Sequence, residues 1–312
     1  MRRILAVLAL GAVVLVGCGD DADDTPEGAA GGDTTTTAAD TTEVATDAPV
    51  EPAVLDVTSA EFGYELSSAE VPAGPVQVNQ TNAGELEHQV TIIGLDGMTP
   101  DELVTTIAEE GDDALDPAVF AGGPNTVGPG EANTALVQLE AGEYVAYCFL
   151  PDHAAQGMVE PFTVTGEAPA EVVVPEAAST IELVNFGFDV PATFDGRGTI
   201  EVVNNGDQAH ELTILDADDQ TGQGGLTTTG PGTTGHVDLD LAPGDYTFVC
   251  FVTDPASGQI HLHLGMEQPV IISCPFLAPE PPARTGASGA RRVIRGGGGP
   301  GRGTTGRGRR GR

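Results

Sequence analysis

Two series of side chains in this sequence combine the donor types that bind a soft transition metal. Each series has a histidine, a cysteine well downstream of it, and a His-x4-Met run after the cysteine. The residues are His88, Cys148, His153 and Met158 in the first series, and His210, Cys250, His261 and Met266 in the second. Two imidazoles, one thiolate and one weak thioether form a trigonal set with a long axial ligand, which suits copper. The sequence therefore predicts two copper ions per chain, one for each series.

The two series belong to a tandem repeat. Segment 87–92 (EHQVTI) aligns with 209–214 (AHELTI), and segment 141–149 (AGEYVAYCF) aligns with 243–251 (PGDYTFVCF). A single histidine, methionine or buried cysteine usually packs in a core. Because all the donor types recur in the same order in both repeats, packing alone is a poor explanation for them.

The repeat predicts two homologous domains, at residues 53–165 and 178–273, with a linker at 166–177. The offset between the repeats is 122 residues at the first histidine (210 − 88) and 102 at the cysteine (250 − 148). It is 108 at the methionine (266 − 158). The first domain therefore has a longer insertion before its cysteine, and the second has a longer loop after its cysteine.

The elements that must position these donors are predicted to be short β-strands. Segments 76–80 and 199–203 alternate apolar and polar residues and end at Asn/Gly turns. Many short strands between turn residues predict an antiparallel sandwich of roughly 100 residues in each domain. Segment 99–110 (TPDELVTTIAEE) differs, because its threonine can cap a helix and its proline suits the first turn. The predicted fold class is all-β, with a short helical insertion in the first domain.

With these donors and strands, the chain resembles the blue (type 1) copper proteins of the cupredoxin family. The resemblance covers both domains and implies a Greek-key β-sandwich in each, with a Cys-His-Met loop joining the last two strands. It implies that the eight residues named above are ligands, with one type 1 copper in each domain. The His-x4-Met spacing matches the plastocyanin pattern. The cysteine-to-histidine spacing is longer, with four intervening residues in the first loop and ten in the second.

The second loop leaves one ligand open. Segment 252–260 contains an Asp-Pro-Ala-Ser-Gly turn, which is expected to bulge outward without moving the ligands. His263 lies three residues before Met266 and is an alternative ligand to His261. We favour His261 because it keeps the spacing of the repeat.

The N-terminus predicts export. Two arginines precede a mostly apolar run at residues 4–16, which is the pattern of a signal peptide at 1–18. The run is too short to span a membrane, which takes about 20 apolar residues. It ends in LVGC, which resembles the bacterial lipobox and implies a lipid on Cys18; an ordinary secretory signal is the alternative. Residues 19–52 are acidic, rich in threonine and without hydrophobic periodicity, so they predict an extended tether. The protein is expected to be lipid-anchored at the outer face of the cell membrane.

The charge distribution bears on the partners of the protein. The chain has 47 acidic and 12 basic residues, and nine of the basic ones lie between Arg284 and Arg312. Residues 4–283 carry 47 acids and one arginine, a net charge of −46. This body does not neutralise phosphate, which excludes nucleic acid as a partner, and it favours a basic redox protein such as a c-type cytochrome. The Arg/Gly-rich tail at 274–312, which contains an unpaired Cys274, is predicted to be disordered.

Three classes of function are compatible with such a copper protein, and an electron carrier is the leading one. Nitrite reductases and multicopper oxidases also pair cupredoxin domains, but they pass electrons through a histidine beside the type 1 cysteine. Here the neighbours of the cysteines are Tyr147 and Phe149, then Val249 and Phe251. An oxidoreductase enzyme is therefore not expected. Copper storage or delivery uses the same ligands without a redox partner and is the alternative.

Overall fold

A computed structural model describes residues 50–273 of the chain. The predicted signal peptide with Cys18, nearly all of the predicted tether, and the Arg/Gly-rich tail with Cys274 lie outside the described residues. The described residues belong to one compact unit. None of the helices among them is both long and apolar enough to cross a membrane.

Short β-strands make up most of the described chain, and one α-helix, α1 (Pro100–Glu110), lies among them. The strands of the first half are β1 (Ala53–Ala60), β2 (Gly63–Leu66), β3 (Glu70–Pro72), β4 (Gly74–Asn82), β5 (Thr91–Gly94), β6 (Phe120–Gly122), β7 (Ala132–Leu139), β8 (Gly142–Tyr147) and β9 (Val159–Thr165). Those of the second half are β10 (Ser179–Val184), β11 (Gly187–Asp189), β12 (Arg197–Asn204), β13 (His210–Asp216), β14 (Gly222–Thr229), β15 (Thr234–Asp240), β16 (Gly244–Val249), β17 (Thr253–Asp254), β18 (Gln259–Ile260) and β19 (Glu267–Ile272). Short 3₁₀ turns lie at Asp112–Ala114, Pro117–Val119, Ala154–Gln156 and His261–Leu264. The predicted all-β class with one short helical insertion is confirmed.

Helix α1 starts where the sequence predicts. The Thr99 hydroxyl accepts a hydrogen bond from the Glu102 N–H, and the Glu102 carboxylate accepts one from the Thr99 N–H at 2.8 Å. This capping box satisfies donors that the first turn leaves unpaired. Pro100 lies in that first turn, where its missing N–H costs no helical hydrogen bond. Leu103 is the buried residue of the helix, and Val104 and Ile107 are partly buried against the core. Helix α1 therefore packs onto the sandwich through one apolar face.

Both sheets of the sandwich run through the two halves without interruption. The first sheet has the order β11-β10-β12-β15-β7-β4-β1-β2, and the second has the order β19-β16-β13-β14-β6-β5-β8-β9-β3. In the first sheet, β15 pairs antiparallel with β7, with Val237 opposite Ala135. In the second, β14 pairs antiparallel with β6, with Thr229 opposite Ala121. Each half is a β-sandwich, and the two sandwiches are joined along their strand edges.

The core lies between the sheets, and the buried side chains follow the two-residue period of each strand. In β4, Val76 and Val78 are fully buried, while Gln77 between them is only half-buried. Ile200 and Val202 of β12 are buried in the same alternation. Each such side chain contributes roughly 1.5–3 kcal/mol by leaving water. A slip of one residue would turn these side chains outward, so the pattern fixes the register of the strands.

The two halves each require glycine at one equivalent position. Gly123 has a φ of +145° and Gly225 a φ of +116°, values that other residues rarely adopt. A Cβ on Gly123 would lie 2.2 Å from the carbonyl oxygen of Val90, and one on Gly225 would lie 2.0 Å from that of Leu212. Within each half, the neighbouring backbone segments can approach this closely only because these residues lack a side chain.

Candidate metal centres

The two predicted ligand sets lie at equivalent ends of the two halves. The neighbouring strands β5 and β8 bring His88 and Cys148 together, and β13 and β16 do the same for His210 and Cys250. The loop that follows each cysteine then returns a histidine and a methionine to the same end of the sandwich. Residues far apart in the sequence therefore converge because their strands are hydrogen-bonded neighbours.

Site 1 consists of His88, Cys148 and His153. One potential ligand atom from each residue lies within 4.8 Å of the other two. The Sγ of Cys148 is 3.4 Å from Nδ1 of His153, and the centroids of the two imidazoles are 5.0 Å apart. His88 and Cys148 are fully buried, whereas His153 keeps 7% of its surface exposed. His153 is therefore the ligand through which site 1 reaches solvent.

His88 has one nitrogen engaged and one free. Its Nε2 is 3.3 Å from Oε1 of Glu61, and the same oxygen accepts hydrogen bonds from the N–H groups of Glu85 and Leu86 at 2.6 and 2.7 Å. These hydrogen bonds, that of Leu86 first, lower the pKa of Glu61 to about 2. An ionised acceptor at Nε2 places the proton there. Nδ1 of His88 is buried and has no hydrogen-bond partner among residues 50–273, so its lone pair is available to a metal ion.

Site 2 consists of His210, Cys250 and His261, all fully buried. Their potential ligand atoms also lie within 4.8 Å of one another. The Sγ of Cys250 is 3.5 Å from Nδ1 of His261, and the Nδ1 atoms of the two histidines face each other at 3.0 Å. Burial, followed by the proximity of His261, lowers the pKa of His210 to about 4. Burial also lowers the pKa of His261, so both imidazoles are held in their neutral form.

Amide side chains fix the tautomers of both histidines in site 2. Nε2 of His210 is 3.4 Å from Oδ1 of Asn185, and Nε2 of His261 is 2.9 Å from Oε1 of Gln208. Gln208 is itself oriented, because its Nε2 donates to Asp254 at 3.0 Å. Since each imidazole Nε2 faces an oxygen acceptor, it carries the proton, and the two Nδ1 lone pairs face each other. The two Nδ1 atoms are 3.0 Å apart, and their facing lone pairs repel unless a cation lies between them. This donor set therefore fits a metal ion.

The two cysteines are free thiols, and both are buried. Burial is the main cause that raises the pKa of the Cys148 thiol and of the Cys250 thiol. A metal ion at either site would reverse this effect, because a coordinated thiol is deprotonated outright. One thiolate with two neutral imidazoles is a donor set that copper accepts.

Met158 and Met266 are fully buried beside the ligand loops. In the first half, the N–H of Cys148 donates to the carbonyl oxygen of Met158 at 3.3 Å, and the N–H of Met158 donates to that of His153 at 3.1 Å. The corresponding hydrogen bonds of the second half measure 3.3 and 2.9 Å. The backbone of each methionine is therefore tied to two of the ligands of its own site.

The longer loop of the second half folds outward as a small ribbon. Strand β17 pairs with β18, with Thr253 opposite Ile260. This ribbon accommodates the extra residues, while His261 keeps its place beside Cys250. His263 is exposed in the 3₁₀ turn that follows and lies outside the cluster of ligand atoms.

The residues that hold the ligand histidines from outside carry only a weak sequence signal and were not predicted. Segments 61–63 (EFG) and 185–187 (NFG) occupy equivalent positions, 124 residues apart (185 − 61). Phe62 and Phe186 each pack edge-on against the second histidine of their site, at centroid distances of 5.0 and 5.2 Å. The shared Phe-Gly pair was the available signal. Its first position carries glutamate in one repeat and asparagine in the other, which conceals the common role.

Several solved structures are similar to this chain. The auracyanin of the photosynthetic bacterium Roseiflexus castenholzii, in a dithionite-reduced form, is 23% identical, with a TM-score of 0.30. The match covers 37% of this chain and 99% of the auracyanin. Auracyanin A, a blue copper protein of Chloroflexus aurantiacus, is 17% identical, with a TM-score of 0.29. The match covers 36% of this chain and 99% of auracyanin A. A multicopper oxidase is 14% identical, with a TM-score of 0.23. The match covers 70% of this chain and 88% of the oxidase. No protein-family model and no curated protein sequence matches the chain. At these identities and TM-scores, the likenesses carry no argument about function.

Proposed function

We propose that the protein is a copper-binding electron-transfer protein with a type 1 site in each half and two copper ions per chain. The observation that carries the proposal is the pair of Nδ1 atoms of His210 and His261, which face each other at 3.0 Å beside a buried thiol. Their Nε2 protons are committed to amide oxygens, so a cation is the group that stabilises this arrangement. In site 1, the buried and unpaired Nδ1 of His88 supports the same assignment.

Copper bound to such a set exchanges one electron between its cupric and cuprous states. The protein contributes rigidity and exclusion of water. Cys148 and Cys250 are fully buried at strand ends. Hydrogen bonds at the outer nitrogens of His88, His210 and His261 hold these three rings in place. Ligands fixed in this way rearrange little when an electron arrives. Neither cysteine has a neighbouring histidine, which supports a carrier rather than an oxidoreductase.

We propose that an external redox partner docks where His153 reaches solvent. Asp152 is exposed next to it, and Glu61 holds the other histidine of the site. Leu86, which follows the turn held by Glu61, is 46% exposed and apolar. An apolar contact with an acidic rim suits a basic redox protein such as a c-type cytochrome. Electron transfer to a basic carrier should slow as salt rises and transfer to an acidic carrier should quicken, because the screening length falls to ~8 Å at physiological ionic strength. Rates independent of salt for both carriers would contradict steering.

We also propose that the protein is exported and anchored to the membrane by lipid on Cys18. This proposal depends on the signal peptide and on the resemblance to a lipobox. Mass spectrometry of the membrane fraction should find a mature chain that begins with a modified cysteine. A mature chain that begins beyond Cys18 would contradict it.

The test of the central proposal is reconstitution with copper, followed by metal analysis and absorption spectroscopy. We expect two copper ions per chain, a strong blue or green thiolate-to-copper band, and reversible one-electron bleaching. A storage or delivery protein, the alternative, would take up cuprous copper and show neither the band nor reversible bleaching. That outcome would overturn the electron-transfer proposal while leaving copper binding intact.

A further inference from the structure

The two sites are joined by a continuous series of buried polar groups. On the first side, a peptide bond joins Gln89 to the site 1 ligand His88. On the second side, the N–H of Glu211 donates to Sγ of Cys250 at 3.5 Å. Gln89 and Glu211 occupy equivalent positions, each directly after the first ligand histidine of its repeat. Each site thus adjoins a residue, Gln89 or Glu211, whose side chain leads away from the ligands towards the join.

Three residues connect these two side chains across the join. The Thr126 hydroxyl donates to Oε1 of Gln89 at 3.0 Å, and the Thr126 N–H donates to Oδ1 of Asn125 at 2.7 Å. Nδ2 of Asn125 crosses into the second half and donates to the Thr213 hydroxyl at 2.9 Å. It also donates to the carbonyl oxygen of Leu212, which directly follows Glu211 in the chain, at 3.1 Å. Each of these five residues is at most 5% exposed. We call Gln89, Thr126, Asn125, Thr213 and Glu211 the buried bridge.

The two sites differ in their access to solvent. His153 of site 1 is 7% exposed, whereas His210 and His261 of site 2 are both 0% exposed. Two residues before the first ligand histidine, the first repeat has the exposed Leu86, while the second has Gln208, which covers Nε2 of His261. Of the four ligand histidines, His153 is therefore the one that has surface exposed to solvent.

We propose that the protein is an internal relay, in which site 1 exchanges electrons with external carriers through His153 and the buried bridge carries them between site 1 and site 2. The inference rests on the proposed function. An external donor loses one electron, which reduces site 1 from cupric to cuprous. The electron then crosses the bridge and reduces site 2, and site 1 returns to the cupric state. No bond breaks and no proton moves, because the ligands keep their protonation states throughout.

The physical reason for assigning this role to the bridge is that electrons tunnel more efficiently through covalent and hydrogen bonds than across van der Waals gaps. Covalent and hydrogen bonds connect the ligand His88 to the sulfur of Cys250 through the bridge without a gap, and the bridge is shielded from water. A single one-electron site needs no such connection, whereas two sites with unequal access to solvent do.

The first experiment isolates the two sites with Cys148→Ser and Cys250→Ser, each loaded with copper and mixed in stopped flow with a reduced basic cytochrome. Cys250→Ser, which keeps site 1, should be reduced as fast as the fast phase of the unchanged chain. Cys148→Ser, which keeps site 2, should be reduced at a small fraction of that rate. Equal rates in the two variants would overturn the relay.

The second experiment removes one hydrogen bond of the bridge with Thr213→Val and uses Thr91→Val as its matched control. Thr91 is the counterpart of Thr213 in the repeat, and its buried hydroxyl has no partner among residues 50–273. In the unchanged chain, a second phase of reduction should be independent of protein concentration. It should slow several-fold in Thr213→Val and stay unchanged in Thr91→Val.

A parallel contact makes the test more stringent. The Thr227 hydroxyl donates to the carbonyl oxygen of Val90, one residue beyond Gln89, at 3.2 Å. The double variant Thr213→Val/Thr227→Val removes both threonine hydroxyls from the join and should slow the second phase further. A double variant that keeps both copper bands and the unchanged rate would overturn the bridge. If these variants do not fold, Thr126→Val interrupts the same bridge next to Gln89.

Two further readings distinguish the relay from the proposed function. If neither site takes up copper, the coloured band is missing before any donor is added, and the proposed function fails with the relay. If both bands are present but the rate of the second phase is the same in the bridge variants as in the unchanged chain, the relay alone fails. In the metal-free chain, the side-chain amide protons of Asn125 should exchange slowly with solvent, and fast exchange would contradict a closed bridge.

Discussion

At site 1 a carboxylate holds the first ligand histidine and an amide lies behind the cysteine, whereas at site 2 these two chemical types are exchanged. Glu61 contacts Nε2 of His88, and its counterpart in the second half is Asn185. Gln89 follows His88, and its counterpart is Glu211. The repeat therefore keeps the ligands and changes the groups around them.

The exchange teaches where a charge has most effect. Glu61 is hydrogen-bonded at the surface, and the pKa of its carboxyl group is lowered to about 2. Glu211 is buried, and desolvation raises its pKa to about 7. A charge interacts more strongly in a buried environment of low dielectric constant than at the surface. When Glu211 is ionised, its charge would favour the cupric state of a copper ion at site 2, and protonation of Glu211 would remove that effect.

The largest expected effect tests whether the two sites bind metal independently. Replacing Cys148 with Ser should remove one of the two copper ions and about half of the coloured band, because the thiolate is the strongest donor of the set. Cys250→Ser should do the same for the other site. Copper content and absorption after reconstitution measure both effects. Loss of both ions from either single variant would show that the two sites are interdependent.

The next effect concerns the buried acid that only site 2 has. Because its pKa is raised from 4.5 to about 7, the folded chain holds a proton between these values that the unfolded chain has lost. Stability is therefore lost as pH rises through this window, by roughly 3 kcal/mol in total. Glu211→Gln should remove this loss from the metal-free chain. Chemical denaturation at about pH 5 and about pH 8 spans the window and measures the difference.

The reverse exchange is the control for this prediction. Gln89→Glu places a carboxyl group at the equivalent position of site 1 and should add a second loss of stability over the same kind of window. If Glu211→Gln keeps the pH dependence of the unchanged chain, the buried carboxyl group is not its source.

A smaller effect compares the groups that hold the first histidine of each site. Removing an outer-shell partner typically lowers metal affinity about 10- to 100-fold. Glu61→Ala should weaken copper binding at site 1 towards the upper end of that range, because it removes an ionised acceptor. Asn185→Ala should weaken binding at site 2 towards the lower end. Competition with a chelator measures both affinities, and an unchanged affinity in Glu61→Ala would contradict the role of the carboxylate.

The smallest expected effect makes site 2 resemble site 1. Gln208→Leu replaces the amide over His261 with the residue that the first repeat has at that position, Leu86. Direct reduction of site 2 by a protein donor should then quicken several-fold, measured in a chain that also carries Cys148→Ser. Gln208→Glu keeps a polar cover and serves as the control. A rate that Gln208→Leu does not change would show that the cover over His261 does not limit access.

Much of each site could be predicted from the sequence. The donor types, their order and their spacing are properties of the covalent chain, and their recurrence in two repeats identified His88, Cys148 and His153 as members of one group. The period of two in segments such as 76–80 predicted strands because successive side chains of a strand point to opposite faces. Helix α1 was predictable because its capping residues are neighbours in the sequence.

The surroundings of the sites were decided only by the tertiary structure. Glu61 and His88 are 27 residues apart and Asn125 and Thr213 are 88 residues apart, and no local pattern links either pair. The shared sheets likewise depend on pairing between β7 and β15, whose partners are not fixed by the period of either strand. Sequence periodicity determines which face of a strand is buried. Which neighbour that strand pairs with, and which polar groups meet in the join, depends on packing between segments that are distant in the chain.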